Sequence, residues 1–84
     1  MRTIKDLLEL VLNELENGDL FEDGFCTLYF EMVDHEIINI YEWQLLRDYS
    51  YKNYPSHSLH GYRFEIYAKQ PRIKWLHEQI KKLT

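Results

Sequence analysis

A chain of 84 residues with a formal net charge of −4 holds one domain, residues 1–84, and sits near the size at which one hydrophobic core is only just sufficient. An apolar fraction of 45% excludes a disordered chain, and the acidic balance argues against a sequence-independent binder of nucleic acid. Its single cysteine, Cys26, excludes an intrachain disulfide and a thiolate metal cluster, and suits a reducing, cytoplasmic setting.

The opening stretch, MRTIKDLLELVLNEL, carries Lys5, Asp6, Glu9 and Glu14, so it reads neither as a signal peptide nor as part of a membrane span. It reads instead as an amphipathic helix. Thr3 is placed to cap it with Asp6 three residues on, and Ile4, Leu7, Leu8, Val11 and Leu15 follow at helical spacing. Leu10 and Leu12 widen the apolar face enough to meet two neighbours, and Asn17-Gly18 is a stop if Gly18 takes the left-handed conformation.

The next stretch supports two readings. Phe25, Leu28, Tyr29, Met32 and Val33 match the helical period with Asp23 as a cap, whereas FCTLYF is also rich in strand-favouring residues. Helix is preferred; the alternative is a small antiparallel sheet with the later segment YRFEIYA. Asn39 with Glu42 forms a second capping pattern, and Ile38 is spaced to staple onto Trp43, which predicts a third helix from Ile40 to about Tyr51. Tyr41, Leu45 and Tyr49 make one row along it, flanked by Trp43 and Leu46, and Pro55 ends it.

Residues 55–70 form the one long connection, in which Tyr62, Phe64 and Ile66 alternate with Arg63, Glu65 and Tyr67 as in a short strand. Pro71 then suits the first turn of a last helix, with Ile73, Leu76, Ile80 and Leu83 as its apolar stripe and Arg72 and Trp75 beside it. Together these elements predict a mainly α, compact domain of three to four helices with a Tyr-rich loop or short strand before the C-terminal helix. Trp75, Leu76 and Ile80 should bury against Leu7, Leu8 and Val11.

Gly24-Phe25-Cys26, the run from Tyr49 to Pro55, Tyr62-Arg63-Phe64 and the run from Pro71 to Leu76 resemble, in that order, the pattern of a family of small uncharacterised proteins of Bacteroides-type bacteria and their phages and prophages. Gly24-Phe25-Cys26 stands where the family has a Gly-Leu-Cys-like helix start, and Tyr49 to Pro55 matches a Tyr-containing helix ending at Asn-x-Pro. Tyr62-Arg63-Phe64 stands for a Tyr-Trp-Phe-like segment, with Arg63 in place of Trp, and Pro71-Arg72-Ile73-Lys74-Trp75-Leu76 for a Pro-Arg-x-x-Trp/Phe-Leu helix start. The family's Gly-Pro-rich turn before that helix is reduced here to Ala68-Lys69-Gln70. The resemblance covers most of the chain after residue 20. It implies a viral or mobile-element context and no established activity, so it transfers no functional residue.

The residues themselves offer little chemistry. His57 and His60 have ligand-like spacing but lack the further ligands of a zinc site, so no metal or other cofactor is expected. Asp34, His35 and Glu36 are adjacent in sequence and therefore do not face one another on a helix. Cys26, between Phe25 and Leu28, reads as packing rather than as a nucleophile, and no Gly-rich phosphate loop exists. The chain therefore reads as no enzyme.

Arg63, Lys69, Arg72 and Lys74, interleaved with Tyr62, Tyr67 and Trp75, have a ligand logic, because guanidinium groups and stacking rings suit a nucleotide or single-stranded nucleic acid. The reading preferred over it is a protein-binding or self-associating surface that uses Tyr51, Tyr54, Tyr62, Arg63 and Arg72. Seven tyrosines and two tryptophans are more than so small a core is expected to hide, so some should lie exposed, with homodimerisation the simplest way to cover them. The functional expectation is a small non-catalytic binding protein, in its concrete form an inhibitor of a host or defence factor.

Overall fold

The computed structural model describes residues 2–18, 25–54 and 69–84. These residues form four helices, α1 (Ile4–Asn17), α2 (Phe25–Asp34), α3 (Ile40–Asn53) and α4 (Lys69–Lys82), with no strand among them. The mainly helical expectation holds, and the FCTLYF segment is helix. Phe25, Leu28, Tyr29 and Met32 are all buried, which is the helical period winning over strand propensity once one face has a core to enter. The expected strand from Tyr62 and the Asp23 cap lie outside the described residues.

Both sequence-visible capping boxes form. The Asp6 backbone N–H donates to Thr3 Oγ1 at 3.2 Å while the Thr3 N–H donates to the Asp6 carboxylate at 2.9 Å. The Glu42 N–H donates to Asn39 Oδ1 and the Asn39 N–H to Glu42 Oε1, each at 2.9 Å. Each box satisfies two backbone donors that a helix start would otherwise leave to water. Pro71 occupies the first turn of α4, where its missing N–H removes no helical hydrogen bond.

Gly18 ends α1, but not by the expected left-handed turn: its φ is −84° and its backbone is extended. A Cβ at this position would lie 2.8 Å from the Glu14 carbonyl oxygen, so close approach of the chain favours glycine here. Among the described residues the left-handed one is Glu36, at φ 61°. The Ile37 N–H reaches the Met32 carbonyl at 2.9 Å and the Glu36 N–H reaches the Val33 carbonyl at 3.0 Å, the paired bonds of a Schellman ending to α2.

The core gathers Leu7, Leu8, Val11 and Leu15 of α1, Phe25, Leu28, Tyr29 and Met32 of α2, Leu46 of α3 and Trp75 and Leu76 of α4, with Ile38 from the turn before α3. Helix α1 packs on α4 and on α3, as its wide apolar face predicts, and α2 packs on α3. Trp75 and Leu76 enter the core with Leu7, Leu8 and Val11, and Ile80 packs against its edge. At the centre of the aromatic part, the Trp75 ring lies 5.1 Å from Tyr54 and 5.5 Å from Phe25, and its indole N–H donates to the Asn53 carbonyl at 3.1 Å.

The row of Tyr41, Leu45 and Tyr49 on α3 does not enter the core. Tyr41 is 75% exposed and Leu45 48%, and only Tyr49 of that row is half-buried. The inward side chains are Glu42, Leu46 and Ser50, one helical row in which two of three are polar. Polar groups enter a core when partners replace the water they lose. Glu42 has Arg2, and Ser50 Oγ lies 2.7 Å from Tyr29 Oη. No helix among the described residues is long and apolar enough to cross a membrane.

Candidate functional site

Helix α3 turns Glu42 and Ser50 inward and presents apolar side chains to solvent among its remaining polar ones. Ile40 and Tyr51 are on one row with Gln44, and Tyr41 and Leu45 are on the next with Asp48 and Lys52, following the i, i+4, i+7 and i+11 spacing of a helix surface. Ile40 is 50% exposed and Tyr51 44%, and Phe30 on α2 adds a further ring at 52%. Exposed single apolar residues are ordinary, but a helix that buries a carboxylate and a hydroxyl while exposing four apolar side chains has its polarity reversed.

The edge of this face is ordered by ring and cation contacts. Phe30 lies 5.1 Å from Trp43, and the Arg47 guanidinium carbon sits 4.8 Å from the centre of the same indole. Arg47 Nη2 also donates to the Asp48 carboxylate at 3.1 Å, which leaves both signs of charge on the face. At this distance the cation and the ring attract each other, a pairing that recurs at protein contacts. Cys26, one turn before Phe30, is half-buried, and burial pushes its thiol up against a smaller opposing pull from Arg47. A thiol held protonated is a poor nucleophile, so the packing reading of this residue fits.

The other end of α3 is closed into the core. Tyr49 Oη donates to Gln79 Oε1 at 2.6 Å, and burial shifts the Tyr49 phenol upward. Burial likewise drives Tyr29 well above the ordinary phenol range, so its hydroxyl stays protonated and acts only through the Ser50 hydrogen bond. Neither phenol is placed for acid–base work at neutral pH. Among the described residues no group of three His, Cys, Asp or Glu side chains is arranged to hold a metal ion.

The residues expected to bind are divided by the structure. Tyr51 lies on the exposed α3 face. Tyr54 does not belong to an open patch: it is half-buried, edge-on to both Phe25 and Trp75 at centroid distances of 5.2 and 5.1 Å. Arg72 is only 2% exposed, its guanidinium 5.8 Å from the Phe25 ring, and Trp75 is 4% exposed. Both are therefore inside, which corrects the assignment of Arg72 to a binding surface, bears out the expected burial of Trp75, and removes both from the set of residues on which the nucleotide or nucleic-acid reading drew. Tyr62 and Arg63, like His57 and His60, lie outside the described residues. Sequence reasoning missed Phe30, Ile40, Tyr41 and Leu45 as surface residues. Their signal was that apolar residues ring α3 on all sides, more than one small core can take from one helix.

No protein-family model matches the chain, and comparison with curated proteins and with solved structures gives no match. The resemblance to the Bacteroides-type and phage family thus rests on its sequence motifs alone.

Proposed function

We propose that this chain is a small non-catalytic binding protein whose working surface is the outer face of α3, formed by Ile40, Tyr41, Leu45 and Tyr51 and extended by Phe30. The single observation that carries the reading is the reversed polarity of α3, in which Glu42 and Ser50 are buried and Tyr41 is 75% exposed. Keeping such a face in water has a free-energy cost that a partner relieves, and rings and arginines are prominent among the side chains by which partners are recognised. The occupant is a protein, because Ile40, Tyr41, Leu45 and Tyr51 are apolar or aromatic and charges of both signs, from Arg47, Asp48 and Lys52, lie beside them. In the phage or mobile-element setting that the motifs imply, the partner is a host or defence factor that the chain inhibits.

The test is capture from a bacterial lysate by wild type and by Tyr41→Ser/Leu45→Ser, with circular dichroism confirming that both fold. The proposal expects a protein retained by wild type and lost from the variant. Identical sets of captured proteins would remove α3 as the working surface.

A further inference from the structure

The segment before α1 reaches across the molecule to the start of α3. Arg2 Nε donates to Glu42 Oε2 at 2.8 Å, and Arg2 Nη2 donates to Glu42 Oε1 at 2.6 Å and to the Ile37 carbonyl at 2.9 Å. The same Oε1 accepts the Asn39 N–H at 2.9 Å that closes the capping box of α3. One carboxylate, its side chain 7% exposed, is thus shared between a cap and a guanidinium that is itself 41% exposed. The arrangement is a fork of two parallel bonds, which a guanidinium makes and an ammonium does not.

We infer that Arg2 and Glu42 form a clasp through which the segment before α1 controls the order of the first turn of α3, and with it the presentation of Ile40 and Tyr41. A buried carboxylate that loses its cation either leaves for water or takes up a proton, and both outcomes weaken its bond to the Asn39 N–H. The cap then opens and the first turn frays, since a helix start without its cap leaves backbone donors unpaired. Any event that removes or neutralises Arg2, such as proteolytic trimming of the segment, would therefore loosen the end of α3 that carries Tyr41, the most exposed tyrosine among the described residues. What the turn is used for rests on the proposed function; the clasp is read without any partner.

Amide hydrogen exchange in the isolated protein tests it, comparing wild type, Arg2→Lys and Arg2→Ala. The clasp predicts that the Asn39, Glu42 and Trp43 amides exchange about tenfold faster or more in Arg2→Ala, with Arg2→Lys between, while Leu76 and Ile80 in α4 change much less. Acceleration below about threefold at the cap amides, or the same acceleration in all four helices, would overturn it. Because no partner enters the measurement, either result stands apart from capture by the α3 face.

Discussion

Tyr29 Oη and Ser50 Oγ meet 2.7 Å apart where α2 crosses α3, and both side chains are fully buried. This contact lets α3 turn a serine into the core, so it belongs to the same reversal that puts Tyr41 and Leu45 in solvent. A buried hydroxyl that loses its partner keeps its desolvation cost, whereas removing both hydroxyls leaves nothing to satisfy. Ser50→Ala and Tyr29→Phe should each destabilise by about 1–3 kcal/mol, and the double variant by less than the sum. Urea unfolding of the three variants checks this, and strictly additive losses would show the hydroxyls act independently.

Two aromatic residues should respond in opposite ways to truncation. Trp75 packs among Phe25, Tyr49 and Tyr54 at the heart of the core, and its replacement by alanine should cost about 3–5 kcal/mol. Tyr41, at 75% exposure, should cost within about 0.5 kcal/mol. Thermal melts of the two variants measure the contrast, and equal losses would place Tyr41 in a packed environment.

Glu36 pays for its left-handed backbone, at φ 61°, without the freedom of glycine. Glu36→Gly should raise stability by about 0.5–1 kcal/mol, because the Schellman bonds remain and the side-chain clash goes. A lower unfolding midpoint in this variant would mean that the Glu36 side chain has a structural role of its own.

Acid should open both capping boxes. The Arg2 hydrogen bonds hold Glu42 below the usual carboxylate range, and the bonds from the Thr3 backbone and hydroxyl hold Asp6 below its own. A carboxylate with a depressed folded pKa gives its stability above the unfolded value and loses it as pH falls through the folded one. Stability should therefore be steady from about pH 7 to pH 5 and fall progressively below about pH 4.5. Glu42→Gln should flatten part of that fall, as read by melts across the range, and an unchanged slope would assign it to other carboxylates.

Much of the fold was legible because its signals are local. Thr3 with Asp6 and Asn39 with Glu42 announce two helix starts, and Leu7, Leu8, Val11 and Leu15 announce a core face that needs no knowledge of its neighbours. The facing of α3 was not legible. Hydrophobicity alone favours Tyr41 and Leu45 over Glu42 and Ser50 as inward residues, and the order is reversed only by Arg2 and Tyr29, which lie 40 and 21 residues away in sequence. Arg72 and Tyr54 were misassigned for a related reason: charge and ring number suggest a surface, but the Phe25 ring packs against both and the Trp75 ring against Tyr54. Of the expected binding residues, Tyr51 alone among the described ones stands on the exposed face, and it does so beside Ile40, Tyr41 and Leu45, which the sequence did not single out for binding.

The central claim, that the outer face of α3 meets another protein, is tested most directly by site-specific photo-crosslinking in cells. A photoreactive amino acid replaces Tyr41 or Leu45 on that face, and Glu9 or Glu78, both exposed on other helices, as controls. The account predicts discrete protein adducts at positions 41 and 45, whether to a second copy or to another chain, and none above background at 9 and 78. Adducts absent from 41 and 45, or equally abundant at all four positions, would contradict it.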